Sequence, residues 1–215
     1  MIPGLPNSAE AQQRNEAFEF LKAWVGTALA FAVLYRTLPL SFVTILLITT
    51  FTAGLGVILH ELAHRVVARR FGATAHFVAN DMMLVLSVLI AFSGFLFAAP
   101  GAVWHSGWLT KRQSGLIAAA GPATNIVLAV LFLGALVVAQ GITRSPVIIY
   151  SLFLGFSING VLGLFNMLPF GPIDGAKILS WSGTAFTAMI AVAALVTFGL
   201  PWLLELPNIF GYSRN

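Results

Sequence analysis

Residues 48–72 read ITTFTAGLGVILHELAHRVVARRFG. The stretch is apolar up to Leu59, then carries His60, Glu61 and His64, and closes with arginines at 65, 69 and 70. Counted from Phe42 it is long enough to cross a membrane, because a hydrocarbon core about 30 Å thick takes roughly 20 helical residues. HELAH therefore occupies the last turns of a membrane helix, where the three arginines can reach the headgroups and Gly72 can cap the chain. Ionisable groups at that depth are costly, and such a cluster asks for a function.

The rest of the chain fits a membrane setting. Of 215 residues, 59% are hydrophobic and 8% charged, against roughly a quarter charged in soluble domains. The pattern predicts an all-α polytopic membrane protein of five to six transmembrane helices in one membrane-embedded domain, residues 1–215. Spans are expected at about 20–36, 42–70, 114–139, 147–168 and 183–204. The first helix is expected to begin as early as Ser8, capped by Asn7 or Ser8. The first twenty residues are polar and carry three glutamates, unlike a signal peptide. Cysteine is absent, which excludes disulfides, thiolate metal sites and a cysteine nucleophile. The net charge of +4 is read as setting topology, with no basic-aromatic patch to suggest a nucleic-acid partner.

Residues 82–104 form the ambiguous segment. Met82 to Ala99 is apolar, but Ser93-Gly94 interrupts it and AAPGAVW follows. The expectation is a re-entrant or strand-like hairpin, two strands turning at Ser93-Gly94, packed against the other helices. With a hairpin, Arg14, Lys22, Arg65, Arg69, Arg70, Lys111, Arg112 and Lys177 share one side, eight against three; with a crossing the split is seven against four. The positive-inside rule favours the hairpin and a cytoplasmic N-terminus.

On a helix, His60 and His64 lie one turn apart on one face, the spacing at which two imidazoles take adjacent corners of a zinc tetrahedron. Glu61 projects beside them. There it can serve an activated water without ligating the metal, the general-base position of HExxH metalloproteases. A catalytic zinc takes a third protein ligand. The other carboxylates are Glu10, Glu16, Glu19, Asp81, Asp174 and Glu205. The first three belong to the polar N-terminal helix and Glu205 follows the last span, which leaves Asp81 and Asp174. Asp174 sits in FNMLPFGPIDGAK, residues 165–177, where Asn166, prolines and glycines end an apolar helix. It shares the depth of HELAH only if the helices ending near 70 and 168 run the same way, which again requires that 82–99 does not cross. Asn125, in GPATN at 121–125, is a polar residue inside a span, fit to bind a substrate backbone or a neighbouring helix. His76 and His105 lie in connections, and neither Ser93 nor Ser157 completes a G-x-S-x-G elbow.

Three stretches, HELAH at 60–64, AAAGPATNIVLA at 118–129 and FNMLPFGPIDG at 165–175, resemble the site-2 proteases, intramembrane zinc metalloproteases that cut transmembrane helices of other proteins. The resemblance implies one catalytic zinc held by His60, His64 and Asp174, with Glu61 as catalytic acid/base and Asn166 holding substrate or the developing oxyanion. It also implies a partly strand-like segment where 82–104 lies. Ala176 stands where the last motif commonly has a second glycine. No PDZ-like or nucleotide-sensing domain is recognisable, so a minimal form of the family is expected.

The sequence thus predicts an intramembrane zinc endopeptidase acting in the lipid bilayer on a transmembrane-protein substrate. Glu61 and Asn166 are the expected catalytic residues, His60, His64 and Asp174 the metal ligands, and Asn125 and Asn166 the substrate contacts, nearer the cytoplasmic face. A helix hides its carbonyls, so the substrate has to be extended. A strand edge within 82–104 is expected to hold it by strand addition, breakable by proline at Phe95 or Leu96. A zinc transporter is the rival reading, but it requires a polar relay across the membrane, whereas here the ionisable groups collect at one depth. A non-catalytic scaffold is the other, and it predicts no bound metal.

Overall fold

Among the described residues the first helix begins at a cap inside the polar leader. A computed structural model describes residues 14–95 and 100–204; Asn7 and Ser8, the expected caps, lie outside them, as do Glu10 and Glu205. Helix α1 runs Glu16–Leu34, with Asn15 Oδ1 accepting from the Ala17 amide at 3.1 Å and the Phe18 amide at 3.4 Å, so it starts later than Ser8. Helix α2, Phe42–Arg70, is opened by the Ser41 hydroxyl, which accepts from the Thr44 amide at 3.1 Å. It closes at Gly72, whose φ of 78° lets Ala73 N–H reach back to the Ala68 carbonyl at 3.1 Å, the Schellman geometry expected of a glycine cap.

Within α2, Thr50–Gly54 forms a π segment. Trp24 Nε1 of α1 donates to the Thr50 carbonyl at 2.8 Å, and Gly54 lies where a Cβ would collide with the Trp24 indole. A π segment inserts one residue, which turns the helix beyond it by about 100° relative to an unbroken α-helix. That turn sets the face on which His60 and His64 emerge.

After α2 come strand β1 (Thr74–Ala79), helix α3 (Asp81–Ala91) and strand β2 (Gly101–Ser106). The strands pair antiparallel, with Thr74 opposite Ser106 and Ala79 opposite Gly101, and Asn80 N–H donates to the Pro100 carbonyl at 2.9 Å. The two ends of the segment therefore lie side by side, and the chain returns to the side it left. The hairpin expected from the charge count is present, but its interior differs from two strands meeting at Ser93-Gly94. The strands flank the apolar run, and the first half of that run is helical. Asn80 caps it, accepting from the Met83 amide at 3.1 Å, and Leu84, Ser87 and Ala91, three and four apart, form its buried face. Ser93-Gly94 is the turn that ends the helix, with φ of 82° at Gly94. Phe95 follows that turn outside any strand, and Leu96 lies outside the described residues.

Charges fasten this segment to α1. Lys22 Nζ lies 2.6 Å from Asp81 Oδ1 at the start of α3, and Arg36 donates to the Ala91 and Phe92 carbonyls at 3.4 and 3.0 Å at its end. Glu16 accepts from the Phe77 amide at 3.0 Å and Glu19 from the Ala79 amide at 2.9 Å. The glutamates of the polar helix thus cover the outer edge of β1. Glu16 also meets Arg65 at 2.5 Å, tying the end of α2 to α1.

Helix α4, Lys111–Ile142, opens on a capping box between Thr110 and Gln113. Helix α5 is Pro146–Phe165, α6 is Asp174–Trp181, and α7 is Gly183–Leu203. Among the described residues five helices are long and apolar enough to cross a membrane; the short α6 was not expected. The most enclosed is α5, with 56% of its apolar window buried against 17% for α7. It is the central post of the bundle. Lipid gives no hydrophobic drive for helices to associate, so close contact at small residues does that work; Gly155 of α5 lies where a Cβ would strike the Phe132 ring of α4. Exposed Leu47, Leu131, Val138 and Phe198 form apolar outer faces suited to lipid.

Candidate metal centre

The last turns of α2 turn His60, Glu61 and His64 toward a cavity of about 110 Å³, walled by Gly101–Val103 of β2, Ser114 and Ile117 of α4, Asn166, and the start of α6. Asp174 is delivered to it by a tight turn after α5. The Asn166 carbonyl accepts from Gly175 N–H at 2.8 Å, and a Cβ on Gly175 would collide with the Met167 backbone, so the DG pair is a packing requirement. Asp174 Oδ2 then lies 3.3 Å from His60 Nε2 and 3.0 Å from His64 Nε2, and the two Nε2 atoms are 3.0 Å apart.

The far nitrogens settle what those near atoms are. His60 Nδ1 lies 2.6 Å from Asn125 Oδ1 and His64 Nδ1 lies 2.7 Å from the Ile117 carbonyl. Both partners are acceptors, so each Nδ1 carries the proton and each Nε2 offers a lone pair. Two lone pairs and a carboxylate oxygen converge on one point, an arrangement that repels itself without a cation between them. Ligands bonded at 2.0–2.1 Å to a tetrahedral zinc lie about 3.3 Å apart, close to the spacings found. Gly121 completes the cradle, for a Cβ there would collide with both Nε2 atoms. The donor set and the space fit zinc.

Burial alone would push the Asp174 carboxyl up, and it is positive charge between it and the His64 and His60 rings, a proton or a cation, that holds the group well below the usual carboxylate range. Lys177 Nζ lies 3.7 Å from Asp174 Oδ1, the oxygen turned away from the histidines. Glu61 is buried in the cavity wall beside them.

A Methanocaldococcus jannaschii protein named as a candidate zinc metalloprotease is 39% identical over 158 residues, 72% of this chain and 79% of its own length. The chain belongs to the site-2 protease family. YwhC of Bacillus subtilis, named in the same terms, is 35% identical over 162 residues, 68% of this chain and 71% of its own. Rip2 of Mycolicibacterium smegmatis is 30% identical over 201 residues, 87% of this chain and 63% of its own, while the match to Rip3 of Mycobacterium tuberculosis covers only 27% of that protein. No family model matches the chain, and no solved structure matches it.

In this site-2 protease chain His60, Glu61, His64, Asn166 and Asp174 all face one cavity. Asp81, the other carboxylate left open by the sequence, is paired with Lys22 and has a 64% exposed side chain away from it. His76 bonds to the Arg14 carbonyl at 3.1 Å; the side chain of His105 lies outside the described residues. Asn125, expected as a contact for a substrate backbone or a neighbouring helix, bonds here to neighbouring helices. It is fully buried behind His60, with Nδ2 donating to Asn159 Oδ1 at 3.0 Å and to the Gly56 carbonyl at 3.3 Å, and it does not line the cavity. Gly121, Asn159 and Lys177 were missed. Asn159 carried a signal, an amide in the middle of an apolar span, and so did Gly121, a glycine beside Pro122 within a helix. Lys177 carried none beyond its nearness to Asp174.

Proposed function

We propose that the chain is an intramembrane zinc metalloprotease that hydrolyses peptide bonds in or near transmembrane segments of other membrane proteins. The observation that carries this reading is the meeting of His60, His64 and Asp174 within 3.3 Å, beside Glu61, in a polar cavity at the ends of apolar helices. Zinc bound there would supply a Lewis acid that acidifies a water and polarises the scissile carbonyl. His60 and His64 would hold it through Nε2 and Asp174 through Oδ2. Glu61 takes a proton from the water as its oxygen adds to the carbonyl carbon. It then gives that proton to the amide nitrogen as the C–N bond breaks, so one water is divided between the two products. Asn166 already donates one amide hydrogen to the Leu162 carbonyl at 2.9 Å; its second is the one offered to the oxyanion or the substrate backbone.

The substrate is held as an extended strand on β2. Phe77 and Ala79 of β1 give their N–H groups to Glu16 and Glu19, so by antiparallel alternation it is Val78 that bonds to Ala102. Gly101 and Val103 then turn their N–H and C=O groups away from β1, on the cavity side. The N-terminus and the cavity mouth lie on the cytoplasmic side by the distribution of arginine and lysine.

Metal analysis of the purified chain tests the reading. Zinc is expected in the wild type and in Glu61→Gln, and is lost from His60→Ala and Asp174→Ala, while all three variants fail to cleave a transmembrane substrate. A wild-type protein without zinc overturns it. Zinc-loaded Glu61→Gln that carries the ion across vesicle membranes points to transport instead.

A further inference from the structure

Behind His60, three helices contribute to one directed chain of hydrogen bonds. Asn125 of α4 and Asn159 of α5 are both 0% exposed. Asn159 Nδ2 donates to the Gly155 carbonyl at 2.8 Å, and a carbonyl can only accept. Asn159 must therefore present Oδ1 to Asn125, whose Nδ2 donates to it at 3.0 Å and to the Gly56 carbonyl at 3.3 Å. With Nδ2 committed twice, Asn125 has only Oδ1 left for His60 Nδ1, 2.6 Å away. Each link permits one direction. Reversing the Asn125 amide would set N–H against N–H and oxygen against two oxygens in a dry interior, where mismatched polar groups are most costly. The chain of contacts also needs Gly56, because a Cβ there would collide with Asn159 Oδ1.

We propose that Asn159 is a positioning residue that, through Asn125, fixes His60 as the Nδ1–H tautomer and keeps its Nε2 lone pair aimed at the metal. The inference rests on the zinc reading of the site. His64 needs no such device, since the Ile117 backbone carbonyl holds its Nδ1 directly at 2.7 Å. The two histidines thus differ: the orientation of His60 depends on side chains 65 and 99 residues away in sequence.

The test measures zinc affinity by chelator competition on the full chain as wild type, Asn159→Ala, Asn125→Asp and the double variant. Loss of a partner that orients a metal-binding histidine typically weakens the metal about 10- to 100-fold, and that loss is expected for Asn159→Ala in the wild-type background. In the Asn125→Asp background the same exchange should cost less than about threefold, because a carboxylate has no N–H to turn toward His60 and needs no orienting neighbour. Equal losses in both backgrounds would mean that Asn159 is helix packing only and would overturn the proposal, as would unchanged affinity in Asn159→Ala. If Asn159→Ala does not fold, the metal-free wild-type chain with ¹⁵N-labelled histidine rings decides. A protonated Nδ1 and bare Nε2 at His60 support the relay, and a neutral ring protonated at Nε2 overturns it. Wild type that binds no zinc would fail the metal reading, while the ring-nitrogen spectrum would still decide the relay.

Discussion

At the scale of single residues, the site is defined as much by what is missing as by what is present. His60 and His64 can approach within 3.0 Å only because position 121 has no side chain. Gly121→Ala is therefore expected to crowd both Nε2 atoms. At about 1–3 kcal/mol for an inserted carbon in a packed site, zinc affinity should fall by about 5- to 150-fold while helix content is retained, measured by chelator competition and circular dichroism. Retained wild-type affinity would show that the cradle has slack. The His60 and His64 pair was legible in the sequence because HExxH fixes helical spacing, while the short carboxylate census left both Asp81 and Asp174 open and the resemblance pointed to the second. The partners behind the histidines were not legible, since nothing in the order of residues says that Asn125 turns to a histidine on another helix. Gly175 is a middle case, for a DG pair reads as a turn until the Met167 backbone is found against it.

At the scale of elements, apolar length located the five described helices that are long and apolar enough to cross, while the local signals between them were weaker guides. The strands of the hairpin fall outside the apolar run, and the partners that cover the outer edge of β1, Glu16 and Glu19, are some 60 residues away in sequence, a long-range contact. The cap at Asn80 and the Leu84, Ser87, Ala91 spacing mark α3, whereas the expectation of two strands turned on the Ser93-Gly94 interruption. The expected weak point also moves from Phe95 and Leu96 to β2 itself. Val103→Pro deletes an N–H that β1 does not use, so the β1–β2 ladder should survive. Cleavage of a helical transmembrane substrate should then fall about two- to tenfold, the worth of one backbone hydrogen bond of about 0.5–1.5 kcal/mol. Unchanged turnover in a zinc-loaded Val103→Pro protein would remove β2 from substrate binding.

At the scale of the whole molecule, α1 is more than a first crossing. It fastens β1 through Glu16 and Glu19, the two ends of α3 through Lys22 and through Arg36 just beyond its own C-terminus, and the foot of α2 through Arg65. The proposed orientation can be checked without background, because the chain has no cysteine. Single cysteines at Arg70 and Trp108 should label from the cytoplasmic face, and cysteines at Thr37 and Thr143 from the opposite face; the Arg70 and Trp108 positions labelling from different sides would contradict the returning hairpin. The covered edge of β1 has a last consequence for the products. With that edge occupied, the sheet can grow on one side only, at a fixed distance from the metal ligands. A guest strand that slips there must move by two residues to regain the same bonding pattern. Alternative cuts in one substrate should then fall two residues apart, so that the sheet acts as a ruler graduated in dipeptides.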